Sequence, residues 1–365
     1  MSADSIEKAP TPRIRSTQIK LLERLCNACS VSGDENEVRE IVLDEIRAHA
    51  DSVEVDALGN ILATRKGVSS PRKKRLRVMI AAHMDEIGFM VIHREEDGIY
   101  RFDTVGGIDV RQLAGKPVLV GHDHIPGVIG AKPIHLTTSS ERKNSISLDA
   151  LRIDIGLEGN QKIKLGERAT FATKFTRVGP SIRAKALDDR LGVATLIELL
   201  KQAPQNIDLL AAFTVQEEIG LRGAQVAAYA LEPDLGIALD STPAIDLPGW
   251  AQEENHLYNT RLDAGPAIYL ADSATLADPR LVRHFVDCAE ENKLPFQFRQ
   301  PGGGGTDAGA IHRSRAGVPS ISISVPARYL HTAAGIARLS DWKNTLILLY
   351  KALSNINPGL LSSDR

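Results

Sequence analysis

Acids and histidines recur in this chain at one kind of place, the far end of an apolar run. LRVMIAAHMD closes on His83 and Asp85, IDLLAAFTVQEE on Glu217 and Glu218, LGIALD on Asp240, and ISISVPARYLH runs on to His331. SIRAKALDDR adds Asp188 and Asp189 just ahead of an apolar helical stretch. Any one of these side chains is an ordinary cap or loop charge. Their recurrence is not ordinary, because buried strands have no local reason to end repeatedly in acid or imidazole. Acids crowded into one crevice also repel unless cations neutralise them. Two imidazoles with three or four carboxylates make the ligand set of a pair of borderline divalent ions. A carboxylate shared between such ions holds them about 3.5–4 Å apart around a water or hydroxide, which leaves one acid over as base.

Residues so far apart in sequence meet only if the elements that carry them lie side by side. From 17 to 50, apolar residues recur at helical spacing (Ile19, Leu21, Leu22, Leu25, then Val38, Ile41, Val42, Ile46), which predicts two helices joined by the SVSGDEN turn. VEVDALGNILATRKG predicts a strand pair turning at Leu58-Gly59-Asn60. After 178, helices (LGVATLIELLKQA, GAQVAAYAL, DWKNTLILLYKALSNI) alternate with apolar strands (IDLLAAFTVQEE, DLGIALDST, VPSISISV). That pattern predicts an α/β fold, a mixed, largely parallel sheet flanked by helices and buried on both faces. The carboxyl ends of such strands border the ligand crevice, and the acids and imidazoles fall there. Between about 97 and 178 the texture changes to short β-like pieces such as IYRFDTVGG, KPVLVG and RATFATKFTRV, punctuated by Gly, Pro and Asp. They predict a small all-β domain inserted into the larger one. The expected organisation is a disordered arm over 1–16, a catalytic α/β domain from 17–94 plus 179–365, and a β-barrel-like insert over 95–178.

Composition narrows the functional classes. With 44 basic and 46 acidic residues among 365, a formal net charge of -2, no overall field favours nucleic acid or an anionic membrane surface. The basic run PRKKRLR at 71–77 has no interleaved aromatic residues and reads as a solvated loop edge. No apolar run approaches the ~20 residues of a membrane span, and MSADSIEKAPTPRIRS lacks the apolar stretch of a signal peptide. Cys26, Cys29 and Cys288 cannot build a disulfide framework, so a reducing compartment is expected and the chain reads as soluble and cytoplasmic. Cys26 and Cys29 form a C-x-x-C, but helical periodicity in LLERLCNACS puts both sulfurs on one buried face, and no second pair completes a zinc site.

Six stretches carry a family resemblance: HMDEIGFMV (83–91), AKALDDRLG (184–192), VQEEIGLRGA (215–224), ALDST (238–242), GGGTDAGAI (303–311) and VPARYLHT (325–332). From about residue 18 to 355, in order and spacing, the chain resembles the tetrahedral (TET) aminopeptidases, dinuclear metal exopeptidases of the glutamyl and deblocking type. The resemblance implies that His83, Asp188 and Asp240 hold one ion, and that Asp188, Glu218 and His331 hold the other, with Asp188 bridging. It makes Glu217 the general base and Asp85 the acid that orients the His83 imidazole. It implies two divalent ions per subunit, zinc or cobalt foremost and manganese also compatible. The substrates it implies are peptides with a free N-terminus, whose α-amino group binds at a metal or acidic group and limits cleavage to the first residue. In that scheme Glu217 takes the proton of the activated water and later delivers it to the leaving amine. The β insert would carry the contacts of a homo-oligomer, a tetrahedral dodecamer with internal active sites. Thr332 stands where family members often have Ser, which keeps the hydroxyl.

Other features point elsewhere less strongly. Four consecutive glycines, 302–305, lack the Lys-Ser/Thr of a phosphate loop and read as close backbone approach to a substrate or as a plain turn. Asp307 is expected near the substrate or in a turn, and Asp189 as the cap of the helix that follows it. His122-Asp123-His124 is expected in an exposed hairpin, and His93, His135, His256, His284 and His312 at the surface or satisfied in the core. A carboxypeptidase or deacylase of the same clan would share the ligand pattern. A glycosidase would use paired carboxylates but leave His83 and His331 without a role, and a non-catalytic assembly protein would not need every ligand and the base.

Overall fold

The computed structural model describes residues 11–68, 75–95, 98–156, 163–247, 260–299 and 301–362. In chain order, helices α1 (Ser16–Asn27) and α2 (Asn36–Ile46) precede the hairpin β1 (Ser52–Val55) and β2 (Ile61–Arg65), then β3 (Leu76–His83). Next come β4 (Gly88–Arg94), β5 (Ile99–Val105), β6 (Pro117–Val120), β7 (Ile125–Gly130), β8 (Arg152–Asp154) and β9 (Arg168–Phe171), followed by a second hairpin, β10 (Thr176–Val178) and β11 (Ser181–Ala184). The remainder runs α3 (Leu187–Lys201), β12 (Ile207–Thr214), α4 (Arg222–Leu231), β13 (Leu235–Pro243), β14 (Ala267–Tyr269) and α5 (Pro279–Glu291). It ends with β15 (Gln297–Arg299), α6 (Ala308–Ile311), β16 (Ser320–Arg328), β17 (Gly335–Arg338), α7 (Leu339–Asn355) and α8 (Gly359–Ser362).

Eleven strands form one twisted sheet in the order β1-β2-β12-β3-β13-β16-β17-β11-β10, with β14 and β15 joined off β16. Its middle is parallel, β12 with β3, β3 with β13 and β13 with β16. The continuous apolar strands have a simple cause, because both faces are covered. Val78, Ile80 and Ala82 of β3 join a core with α1, α3, α5 and α7, while Met79 and Ala81 meet Ala224, Ala227 and Ala228 of α4 and Ile311 of α6 on the other side. Among the described residues no helix is long and apolar enough to cross a membrane.

β4 to β9 close into a separate antiparallel barrel. Its centre is aromatic, with Phe89 edge-on to both Phe102 and Phe171 at 5.2 Å between ring centroids. The barrel opens at Gly88, not at 95. VMIAAHMDEIGFMVI reads as one apolar run, yet β3 leaves the large sheet at His83 and the chain enters the barrel within five residues. Gly88 makes that entry possible, since a Cβ there would lie 2.4 Å from Val31 Cγ2 and 2.7 Å from the Ala169 carbonyl. At the other end RATFATKFTRV is two strands in two sheets, β9 in the barrel and β10 paired with β11 in the large sheet. The arm expected over 1–16 falls largely on 1–10, outside the described residues, and α1 already begins at Ser16. Most of the basic run, 71–74, also lies outside them.

Candidate active site

The crevice opens where neighbouring parallel strands part. β13 pairs with β3 only from Leu235↔Val78 to Ala238↔Ala81, whereas its pairing with β16 continues to Pro243↔Ala327. Past Ala238 the β3 side of β13 is therefore unpaired, and Asp240 lies there, inside the strand and not at its end as the sequence suggests. Glu217 and Glu218 likewise sit beyond β12, on the turn before α4, because β12 stops at Thr214. Gln216 in that turn holds φ +55.

Asp188 occupies the middle of the arrangement. Its Oδ1 is 3.2 Å from His83 Nε2 and its Oδ2 is 3.6 Å from His331 Nε2. Asp240 Oδ1 stands 3.9 Å from the same His83 nitrogen, and Glu218 Oε2 is 3.3 Å from His331 Nε2. His83, Asp188 and Glu218 offer ligand atoms within 4.8 Å of one another, as do Asp188, Asp189 and Asp240. Asp188 does not extend α3; its φ and ψ are non-helical and the bond to Asp189 is cis. Asp189 caps α3 as expected, its Oδ1 accepting the Gly192 N–H at 2.9 Å.

Two groups orient the imidazoles. Asp85, fully buried, has Oδ1 3.4 Å and its backbone carbonyl 3.2 Å from His83 Nδ1. The same carboxylate accepts the backbone N–H groups of Glu217 at 3.0 Å and Glu218 at 3.2 Å, and the Ser32 hydroxyl at 2.6 Å. It thus ties the ends of β3 and β12 together. For His331 the orienting group comes from the barrel side, where the Gly107 carbonyl faces Nδ1 at 2.9 Å and leaves Nε2 to the acids.

Crowding sets the proton inventory. Burial, reinforced by Asp240, Asp307 and Glu218 and only partly offset by His83, pushes the Glu217 carboxyl well above the carboxylate range. Burial and then Asp188 do the same to Asp240, and lift Glu218 to about 7. Burial opposes charge on the imidazoles too, but Asp188, Asp240 and Asp85 outweigh it at His83, whose pKa stands well above the ordinary value. At His331, Asp188 and Glu218 outweigh burial and raise it to about 9. Asp188 moves the other way, for although burial raises it the two rings hold it well below the usual range. Raised acids and raised imidazoles around one lowered carboxylate mark a centre where a bound cation would displace protons from its ligands.

The cleft above this cluster, of about 530 Å³, is walled on its far side by Tyr269, Arg299 and the backbone of Gly303, Gly304 and Gly305. A model of the M42 glutamyl aminopeptidase family matches residues 59–348. The chain belongs to that family. The lysyl aminopeptidase of Pyrococcus furiosus is 32% identical over 353 residues, 93% of this chain and 97% of that protein. A TET aminopeptidase of a marine-sediment Thaumarchaeota archaeon superposes with a TM-score of 0.88 at 30% identity, over 95% of this chain and 98% of its own. The TET1 peptidase of Pyrococcus horikoshii, described as assembling into a tetrahedron or a large octahedral shell, superposes with a TM-score of 0.80 at 32% identity, over 93% and 100%. This M42 chain is therefore a hydrolase of the aminopeptidase class, and metal-dependent removal of N-terminal residues is its chemistry. The glycosidase and assembly-protein alternatives fall with that assignment.

Several residues that build the site of this M42 peptidase escaped the sequence reading. Glu86, buried, takes the Lys185 ammonium at 2.6 Å and lies 3.4 Å from the Arg190 guanidinium, while also accepting the Thr170 hydroxyl at 2.9 Å. Arg190 donates onward to the carbonyls of Leu25, Met84 and Asp85. Lys185 and Arg190 flank Asp188 and Asp189 in AKALDDR. Asp307, expected near the substrate or in a turn, is buried, its Oδ2 accepting the Thr214 hydroxyl at 2.5 Å. The C-x-x-C does not share a helix face, since α1 ends at Asn27 and Ala28 is already extended. His122-Asp123-His124 does form the β6–β7 turn, but it is not free, because His124 Nε2 meets the Glu37 carboxylate. His256 lies outside the described residues.

Proposed function

We propose that the chain removes N-terminal residues from peptides with two divalent ions, zinc or cobalt first and manganese as a substitute, and with Glu217 as general base. His83, Asp188 and Asp240 would hold one ion, Asp188, Glu218 and His331 the other. The observation that carries this reading is the position of Asp188 between the two imidazoles, one carboxylate oxygen turned to each. Bound ions would polarise a carbonyl oxygen and lower the pKa of a bound water. Glu217, with its carboxyl raised by burial and neighbouring acids, is suited to take that proton and to return it to the leaving amine. Asp85 holds the Glu217 backbone and the His83 ring in one geometry, so base and ligand keep their relation as protons move. The substrate's free α-amino group would bind at a metal or an acidic group of the cleft, which limits cleavage to the first residue.

The proposed particle is a tetrahedral dodecamer, with the barrel supplying contacts between subunits, as the assembly described for the P. horikoshii relative suggests. The cytoplasm is the proposed location, in keeping with three cysteines and no disulfide framework. Substituting Glu217→Gln is the direct test. Turnover of aminoacyl chromogenic substrates should fall by about 10²–10⁴ while mass spectrometry still counts both ions. Unchanged turnover, or loss of the ions, removes Glu217 from the role of base.

A further inference from the structure

A second convergence of ligand-type side chains lies outside the cleft, on the seam between the barrel and the large domain. Cys29 follows α1, Glu37 stands in the first turn of α2, and His124 is on the β6–β7 turn of the barrel. A sulfur, a carboxylate oxygen and a ring nitrogen from these three stretches lie within 4.8 Å of one another. Glu37 divides its oxygens, Oε1 meeting His124 Nε2 and Oε2 accepting the Cys29 N–H at 2.9 Å. His124 reaches this position from a backbone φ of +50, a left-handed conformation uncommon for a residue with a Cβ. Beside the cluster a cavity of about 20 Å³, room for one water, is lined by Cys29, Asp34, Glu37, His122 and Arg168 among others. His122 Nδ1 and Asp34 Oδ2 stand 3.8 Å apart at its rim.

We propose that Cys29, Glu37 and His124 form a binding site for a zinc-like divalent ion that fastens the barrel to the large domain. One thiolate, one imidazole and one carboxylate suit a borderline tetrahedral ion and leave the fourth position to water in the adjoining cavity. Ligand atoms around such an ion sit about 3.3–3.8 Å apart, given bonds of about 2.0–2.3 Å, so rotation of half-exposed side chains closes the present spread. On binding, the Cys29 S–H bond breaks, the proton passes to solvent and the sulfur–metal bond forms, with no change of oxidation state. None of the three residues belongs to the peptidase cleft, so the site is independent of the reading given above for the reaction. Its role is mechanical, pinning a turn of one domain to a helix start of the other.

The test uses the full-length protein, stripped with a chelator and reloaded with cobalt(II). A cobalt–thiolate centre absorbs by charge transfer in the near ultraviolet, and the cleft cluster contains no sulfur. Wild-type protein should develop this band to a plateau of one thiolate-bound ion per chain. Cys29→Ser should abolish it, lower zinc content by one ion per chain and leave peptidase turnover within about twofold. His124→Gln, which keeps the thiol, should weaken cobalt binding at this site by at least about tenfold. Absence of the band in wild type at saturating cobalt, a band that survives Cys29→Ser, or identical zinc content in all three proteins would overturn the proposal.

Discussion

The cleft and the seam bring together similar side chains under opposite physical conditions. In the cleft His83 and Asp240 are buried and the side chains of Asp188 and Glu218 are only 13% and 4% exposed, and a second group holds several of them in place, Asp85 for His83 and the Glu217–Glu218 backbone, Gly107 for His331. At the seam the side chains of Glu37 and His124 are 37% and 39% exposed, and they hold each other. Preorganisation is thus supplied by the fold in one region and left to the ion in the other. The cleft should bind its ions with little rearrangement and suffer when they leave; the seam should tolerate either state.

Removing Asp188 would break the comparison most sharply. Asp188→Ala takes away the carboxylate that faces both imidazoles, so both cleft ions should be lost and peptidase turnover fall below detection. The cobalt–thiolate band of the seam should persist in the same protein. If one cleft ion remains at full occupancy, Asp188 is not shared. Next in size stands Lys185→Met. Glu86 would keep Arg190 at 3.4 Å as its one cationic partner, beside the neutral Thr170 hydroxyl and Ser30 N–H, inside a buried pocket, at a cost of about 3 kcal/mol in urea unfolding. Loss of an exposed seam contact such as Glu37 to His124 should cost under about 1 kcal/mol. A Lys185→Met protein as stable as wild type would show that the buried charges behind β3 are not what braces the site.

Legibility follows the same division. His83, Glu217, Glu218 and His331 could be read because an apolar strand that ends in acid or imidazole breaks its own pattern. The α/β body was legible for the same reason, as alternation along β3 and β12 on a sheet covered on both faces leaves nearly unbroken apolar runs. Asp240 was found but placed at a strand end, because the parting of β13 from β3 is a matter of register between remote segments. Lys185, Glu86 and Arg190 were missed since a buried charge and a solvated one have the same letter, and only the partner distinguishes them. The helix α5 was passed over although Asp278-Pro279 is a good start signal, with Asp278 accepting the Arg280 N–H at 3.0 Å. Cys29 and His124 could not be paired by any spacing rule, for they meet only when the barrel is seated.

A pH series separates the two regions without any substitution. In the metal-free protein Glu218 titrates at about 7 and His331 at about 9, both raised above their ordinary values. A raised group binds its proton more tightly in the folded state, so its stabilising contribution is complete below the unfolded pKa and disappears as pH rises through the folded one. The stripped protein should therefore show a thermal midpoint that falls steadily from about pH 5 to pH 9. Asp188, lowered, adds slope only at more acid pH. Ion-loaded protein has already given up these protons while its unfolded imidazoles still bind theirs below about pH 6.5, so its midpoint should rise from pH 5 to about pH 7 and level off above that. Parallel curves for stripped and loaded protein would mean that the cleft acids are not the ion ligands.

The smallest expected effect tests whether the barrel tunes the cleft. A Cβ placed on Gly107 would lie 3.1 Å from His331 Nδ1, tight enough to push the ring by a few tenths of an ångström but not to clash with backbone. Gly107→Ala should leave stability within about 0.5 kcal/mol, while ion affinity at the His331 side weakens by a fewfold. Turnover would then drop at limiting cobalt and recover at excess cobalt, with the seam band unaltered. Recovery matters more than the size of the drop, because a displaced ligand is corrected by mass action whereas a damaged base is not. A loss of turnover that excess cobalt fails to restore would instead place Gly107 on the path of the substrate, and the barrel's contribution would be to peptide binding and not to the geometry of His331.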